Sequence, residues 1–539
     1  MNPRRVTRPW LAISALCTGL FMILLDNTIV NIAVPSMMSD LGTGLDQILW
    51  IVNGYTLAYA VPLILAGRLG DRFGRKRLYV VGLVVFTLAS ALCGLSDTGG
   101  ELIAARAAQG VGGALMTPQT LAFITVLFPP EKRGAAFGAW SGVAGVSTIA
   151  GPLLGGLIVE KLSWEWIFFV NVPVGVIGLV LALLVVPESR NASTQRLDPL
   201  GIVLVSTGLF AVIYALQEGS HYDWGVIAGP LSVPVLLVAG VVLVAAFLLV
   251  QQRSPEPMVP LTLSADRNFS IANVVATAVG FGMVALLPVT LFLQDVLGLS
   301  ALECGLVTAP ASVCAAMIAP FAGFRADRTG GKYLLVTGLL AFCAGIGGSA
   351  LLAAPNMRVW LIVPAVIVLG VAMGLLFSTM TTVALRDVRP ELSGAASAVF
   401  NTTRQLGQAL GTAAVGALLQ AALRTSTHRE AATAAESLPV SVREQFVDSF
   451  TAVSADSPAR TVDAPAGLPT SLSAQWHQLG VGVFGHGFVT AMRWTLLLPI
   501  ALLLIAAACS FGLRRTRKAS RTVSPDTARL TETSHRPAE

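Results

Sequence analysis

Apolar residues fall in blocks of about twenty along most of this chain, separated by short polar stretches, without the alternating ten-residue segments of a membrane barrel. Blocks of that length cross the ~30 Å hydrocarbon layer as helices, which satisfy every backbone group internally. The pattern predicts fourteen spans, at 10–34, 47–67, 77–96, 101–127, 134–159, 165–186, 198–217, 225–250, 268–294, 301–324, 332–353, 358–382, 393–420 and 491–513. Because the blocks recur to the C-terminus, a cleavable leader does not explain them. The expected fold class is an all-α polytopic membrane protein.

Composition agrees: 54% of the 539 residues are hydrophobic and 12% charged, with a mean hydropathy of +0.74, a balance foreign to a water-soluble globule. The six cysteines (17, 93, 304, 314, 343 and 509) fall in or beside apolar blocks, so lipid-embedded thiols are expected, with neither disulfides nor a metal site.

Lys and Arg orient the spans. With the N-terminus inside, 26 of the 35 fall in cytoplasmic segments, 6 in external loops and 3, Arg106, Arg404 and Arg493, within spans. Both termini are therefore expected in the cytoplasm of a multi-pass plasma-membrane protein. The net charge of +6 then reflects topology and anionic lipid, with no nucleic-acid partner. The connection at 421–490 is external and rich in Ala, Ser, Thr and Pro; it is expected to be mostly flexible, with an amphipathic piece near Val442 to Val453. The tail at 516–539 is expected to be disordered.

Two segments recur. "GRLGDRFGRK" returns as "GFRADRTGGK", matching Gly67, Asp71, Arg72, Gly74 and Lys76 to Gly323, Asp327, Arg328, Gly330 and Lys332 at an offset of 256. Pro130-Glu131-x-x-Gly134-Ala135-Ala136 returns as Pro390-Glu391-x-x-Gly394-Ala395-Ala396 at an offset of 260. Two pairs at nearly one offset imply a duplication. Matching spans differ by eight, so two parallel six-helix pseudo-repeats are expected at 1–190 and 256–515, with two inserted central helices at 191–255. Parallel halves about a cavity are an alternating-access design.

These residues resemble the major facilitator superfamily, in its branch of fourteen-helix drug:proton antiporters. "GRLGDRFGRK" is similar to its signature loop, "RAAQGVGG" (106–113) to its fourth-helix motif and "GPLLGG" (151–156) to its fifth-helix antiporter motif; "LLDNTIVNIAVP" and "WEWIFFVNVPVG" resemble segments of the fourteen-helix branch. The resemblance implies a conformational latch at Gly67, Asp71, Arg72, Gly74, Arg75 and Lys76 with Asp327 and Arg328, in which Asp71 caps a neighbouring helix and the basic cluster bridges to the facing half. The second copy, with fewer basic residues, is expected to latch less strongly. A purely topogenic basic loop is the competing account. The resemblance also implies that Gly151, Pro152, Gly155 and Gly156 seal against leak and bias the cycle to export; plain helix packing is the alternative.

The residues themselves point to a proton site. Asp26 is the acid deep within a span, and its depth below the outer surface is compatible with that of Arg106. A carboxylate that meets an arginine in one conformation and loses it in another gains and loses a proton, which is the work of a proton carrier. Alternatively, Arg106 snorkels outward and Asp26 bonds its polar neighbours. Asn401, Arg404, Gln405 and Gln408 put polar side chains near the midplane of the thirteenth span, and with Asn31 and Gln109 they form the expected substrate cavity. Two deep arginines against one acid give neutral or weakly acidic amphiphiles equal weight with lipophilic cations.

No G-x-x-x-x-G-K-[ST] phosphate cradle is present, so energy is expected from the proton gradient, without a cofactor. Scattered histidines argue against a membrane-embedded enzyme. The expected function is proton-coupled export of a small amphiphile (a drug or antibiotic) by a monomer; proton-coupled uptake, or lipid, siderophore or metabolite transport on the same fold, is the alternative.

Overall fold

The computed structural model describes residues 8–43, 45–188, 198–219, 221–254, 257–260, 262–450, 464 and 469–514. The tail at 516–539 and the start of the central linker lie outside them, as do the side chains of Asn31 and Pro152.

The helices are α1 (Pro9–Leu41), α2 (Leu45–Ala60), α3 (Leu63–Phe73), α4 (Arg75–Gly94), α5 (Gly99–Leu127), α6 (Pro130–Lys161), α7 (Trp166–Phe169), α8 (Asn171–Val185), α9 (Pro199–Glu218) and α10 (Val233–Arg253). The second part of the chain adds α11 (Thr262–Ala265), α12 (Arg267–Met283), α13 (Leu286–Leu291), α14 (Ala301–Thr329), α15 (Lys332–Leu352), α16 (Val363–Leu385), α17 (Ser393–Ala435), α18 (Val440–Asp448) and α19 (Thr470–Ser510). Among the described residues, twelve helices are long and apolar enough to cross a membrane, or thirteen when α2 and α3, bent by 44°, count as one span.

Several boundaries differ from the sequence-based expectation. The second span breaks at Val61–Pro62, because proline removes a backbone donor. The ninth ends α12 at Met283 and resumes as α13, closing on a wide π turn at Phe292–Val296. Residues assigned to the start of the eighth span instead form a small hairpin, β1 (Val226–Ala228) on β2 (Leu231–Ser232), turning at Gly229 with φ of +54°. Val233 then starts α10, with the Ser232 hydroxyl accepting from the Val235 amide.

The larger correction concerns residues 421–490. α17 continues to Ala435 and α19 begins at Thr470, so both helices project beyond the bundle. At ~1.5 Å per residue the 43-residue α17 is roughly 65 Å long, about twice the hydrocarbon thickness. α18 lies across the projections: Phe446 is fully buried between Phe450, 5.2 Å away, and Trp476, 4.8 Å away and edge-on. The Arg443 Nε donates to Leu438 O (2.8 Å), tying α18 to the turn before it. The Ala, Ser and Thr content looked like a flexible loop, but Ala is the strongest helix former and three aromatics suffice for a small core.

The helices pack in two groups. α1 lies on α6 and α8, α2 on α5, and α4 on α5; in the second group α14 and α15 lie on α16, and α12 and α19 on α17. The groups meet where α6 lies along α14 and where α3 meets α17. α9 and α10 pack on each other, and α9 also touches α2 and α17.

The cap makes a prediction. Phe446→Ala removes a buried aromatic worth about 3 to 5 kcal/mol, so α18 amides are expected to exchange hydrogen far faster while α4 amides are unchanged. Hydrogen–deuterium exchange read by mass spectrometry checks this, and unchanged α18 protection would contradict the packed cap.

Candidate functional site

α1 and α5 bring Asp26 and Arg106 together, both at or below 1% exposure. The Arg106 Nη1 donates to Asp26 Oδ2 and also to Gln109 Oε1 (2.7 Å), and Gln109 Nε2 donates to Asp26 Oδ1 (2.8 Å). Asn171 Nδ2 reaches the same carboxylate oxygen at 3.3 Å and Ser90 Oγ at 3.1 Å; Ser90 in turn donates to Phe168 O (2.9 Å). The guanidinium sits 4.2 Å above the Tyr55 ring and donates through Nε to Ile51 O (3.3 Å). Arg106 therefore does not snorkel outward: its charge is held by a carboxylate, an amide, a carbonyl and an aromatic face. Gln109, assigned to the cavity from the sequence, belongs to this network instead. Asn171 and Ser90 were missed; Asn171 is the one polar residue in "FFVNVPVG", and that isolation was the available signal.

A buried carboxylate without its cation costs several kcal/mol. The pairing of Asp26 with Arg106 offsets that cost inside the bundle. Gly151 of α6 comes so close to Thr28, two residues from Asp26, that a Cβ would collide with its hydroxyl. α6 runs unbroken from Pro130 to Lys161, and its Gly145 lies against Ala316 and Ser312 of α14. Of the other motif glycines, Gly155 is buried, while a Cβ on Gly156 would meet open space. The segment joins the acid to the facing helix group through α6.

The two repeated segments meet crosswise at the end of the bundle that carries the α3–α4 turn. Asp71, at the end of α3, accepts from the Ala395 amide at the start of α17. Asp327, at the end of α14, accepts from the Gly134 amide (2.8 Å) and the Ala135 amide (3.2 Å) at the start of α6. Asp71 thus meets an orphan amide in the first turn of α17 and Asp327 two amides in the second turn of α6, towards the positive ends of those helix dipoles, which favour an anion. The backbones touch: a Cβ on Gly67 would meet Gly394 O, and one on Gly323 would meet Gly134 O. Only glycine permits that approach.

Arg75 Nη2 holds Asp71 Oδ1 at 2.7 Å. The bridging role expected of the basic cluster is not supplied by Lys76, which donates to Leu183 O (2.8 Å) in its own group, nor by Arg72 and Arg328, which lie over Phe73 and Phe324. Lys76, Arg72 and Arg328 find partners locally, whereas Asp71 and Asp327 reach across the contact. Asp327 makes two backbone bonds across it and Asp71 one. Arg133, counted only as a topogenic charge, is 6% exposed and donates to Thr125 O (2.6 Å) in its own group and to Arg386 O (2.5 Å) in the other. Asp387, in the loop after α16, has its carboxyl pushed up by burial against the pull of Arg386.

α17 presents three sides. Leu406, Ala409 and Ala413 pack with α9; Gly407 and Gly411 pack on Thr277 and Phe281 of α12. The third carries Asn401, Arg404, Gln405, Gln408 and Thr412. Asn401 is buried and donates to Ser397 O (2.8 Å), Arg404 and Gln405 are partly exposed, and Gln408 and Thr412 are exposed.

Residues 16–412 match the family model of the Major Facilitator Superfamily. The chain belongs to that superfamily. It is 43% identical over 413 residues to the uncharacterized MFS-type transporter Rv1250 of Mycobacterium tuberculosis, covering 76% of this chain and 70% of that one. It is 37% identical to the tetracenomycin C resistance and export protein of Streptomyces glaucescens, covering 76% of each. The fold is that of the proton:xylose symporter XylE, with a TM-score of 0.58 over 94% of this chain and 96% of that one, at 13% identity. A major facilitator is a multi-pass membrane transporter and not an enzyme.

In this transporter Asp71→Asn and Asp327→Asn each remove a charge-assisted bond worth about 1.5 to 3 kcal/mol, and the double variant is expected to open the crossed contact. Spin labels at Phe73→Cys and Glu391→Cys, in a background without the native cysteines, report the spacing by electron–electron resonance. The double variant should shift the population to longer distances; an unchanged distribution would show that backbone packing alone holds the groups.

Proposed function

We propose that this chain exports amphiphilic small molecules, such as antibiotics, across the plasma membrane in exchange for protons, by alternating access. The observation that carries the reading is the buried Asp26–Arg106 pair, an acid and its cation held together between α1 and α5. Its likeness to an exporter of tetracenomycin C supports the direction of transport.

The layout we propose has fourteen spans, α6 included, with α9 and α10 inserted between two parallel six-helix repeats and both termini in the cytoplasm. The crosswise use of both repeated segments supports the parallel repeats, since each Asp performs the same capping on the other repeat's equivalent helix. The basic end is then cytoplasmic and closed, and the cavity beside α17 faces outward. A proton from outside neutralises Asp26, frees Arg106 from its carboxylate and weakens the tie from α1 to α5. The crossed caps then break, the cavity opens inward, the proton leaves and the Arg106 pair re-forms. The proton gradient supplies the energy and no cofactor is involved; the unit is a monomer in lipid.

Inside-out vesicles acidified by respiration test this reading. Addition of a transported compound should release protons from vesicles carrying the wild type. Asp26→Asn keeps the hydrogen-bonding shape but cannot carry a proton, so at equal insertion it should lose the release by at least about tenfold. Undiminished release by Asp26→Asn would sink the assignment of the carrier.

A further inference from the structure

The charges around the cavity do not balance. Asp26 is spent on Arg106, while Arg404 lies deep in α17 with no hydrogen bond or ion pair from its guanidinium among the described residues. The titratable group that faces it is the Tyr59 hydroxyl of α2, which itself bonds Thr117 Oγ1 at 3.1 Å. Glu218, the acid at the end of α9, is held by Asn53 Nδ2 (3.3 Å), about 9 Å further along α2 than Tyr59. A cation at that depth is costly unless something supplies an anion.

The position suits a ligand. Arg404 shares its side of α17 with Gln405 and Gln408, and the residue stays partly exposed. On the α2 side, Tyr59 stacks on Tyr55, with ring centroids 6.2 Å apart and planes inclined by 6°. Tyr55 in turn lies under Arg106. Two stacked, buried rings therefore lie between Arg404 and the arginine paired with Asp26.

We propose that Arg404 receives the carboxylate of an anionic amphiphile on the polar side of α17 that also carries Gln405 and Gln408. This rests on the export reading for the cavity's role and adds to it the charge of the substrate. A guanidinium binds a carboxylate through two parallel N–H donors, which favours a planar anion over a neutral amide and repels a cation of the same shape. The two stacked rings lie between that anion and Arg106, so ligand charge and the Asp26 proton act on cations on either side of the stack.

Binding to the purified full-length transporter tests the proposal. The probes are pyrenebutyrate, its neutral amide and a pyrenebutyl trimethylammonium, read by quenching of tryptophan fluorescence. Wild type should bind the carboxylate at least about tenfold more tightly than the amide, and the cation most weakly. Arg404→Gln should lose the carboxylate preference with the amide changed by less than about twofold, and Arg404→Lys should keep part of it. Equal loss for all three probes, a preference for the cation, or no binding of pyrenebutyrate by wild type would overturn the proposal. Thermal melting identifies a misfolded Arg404→Gln, in which case Arg404→Lys decides: a preference unchanged from wild type would mean that the fork is not the receptor. Binding needs no proton gradient, so an intact preference without proton release would fail the export reading alone.

Discussion

Two aspartates, each at the end of a helix in one group and each bonded to amides near the start of a helix in the other, join this molecule where its groups meet. The bond is favourable because a carboxylate lies towards the positive end of a helix dipole. It is also short-ranged. A separation of one or two ångströms leaves both partners to water at little net cost. The touching glycine backbones at Gly67 and Gly394, and at Gly134 and Gly323, set the distance at which the carboxylates work.

The interior charge obeys the opposite rule. Asp26 and Arg106 have no water to fall back on, so the chain surrounds them with Gln109, Asn171 and Ser90. Gly151 packs α6 against α1 at Thr28, two residues from Asp26, and the second turn of the same helix donates the Gly134 and Ala135 amides to Asp327. The Asp26 pair and the crossed contact are thus linked along one helix, roughly 26 Å apart at ~1.5 Å per residue from Gly134 to Gly151.

α17 unites the remaining features. Its first turn bonds Asp71, its fourth turn carries Arg404, and its last turns project beyond the bundle to meet α18 and α19.

Much of this was legible in the residues. Apolar blocks long enough for lipid dictated helices, the basic residues gathered at alternate connections, and two short segments at offsets of 256 and 260 disclosed a duplication. Asp26 and Arg106 stood out because charge is expensive at that depth. The helical cap did not, because its stability comes from Phe446 meeting Trp476 across residues the chain separates by thirty. The sequence by itself determined which groups must find partners: buried acids, deep arginines and helix ends. Tertiary structure alone decided who those partners are, since Asp327 meets an amide 193 residues away and Arg106 a carboxylate 80 residues away. Composition and local spacing state the cost of an unpaired charge or amide, but only the packing of distant helices brings its complement within hydrogen-bond reach.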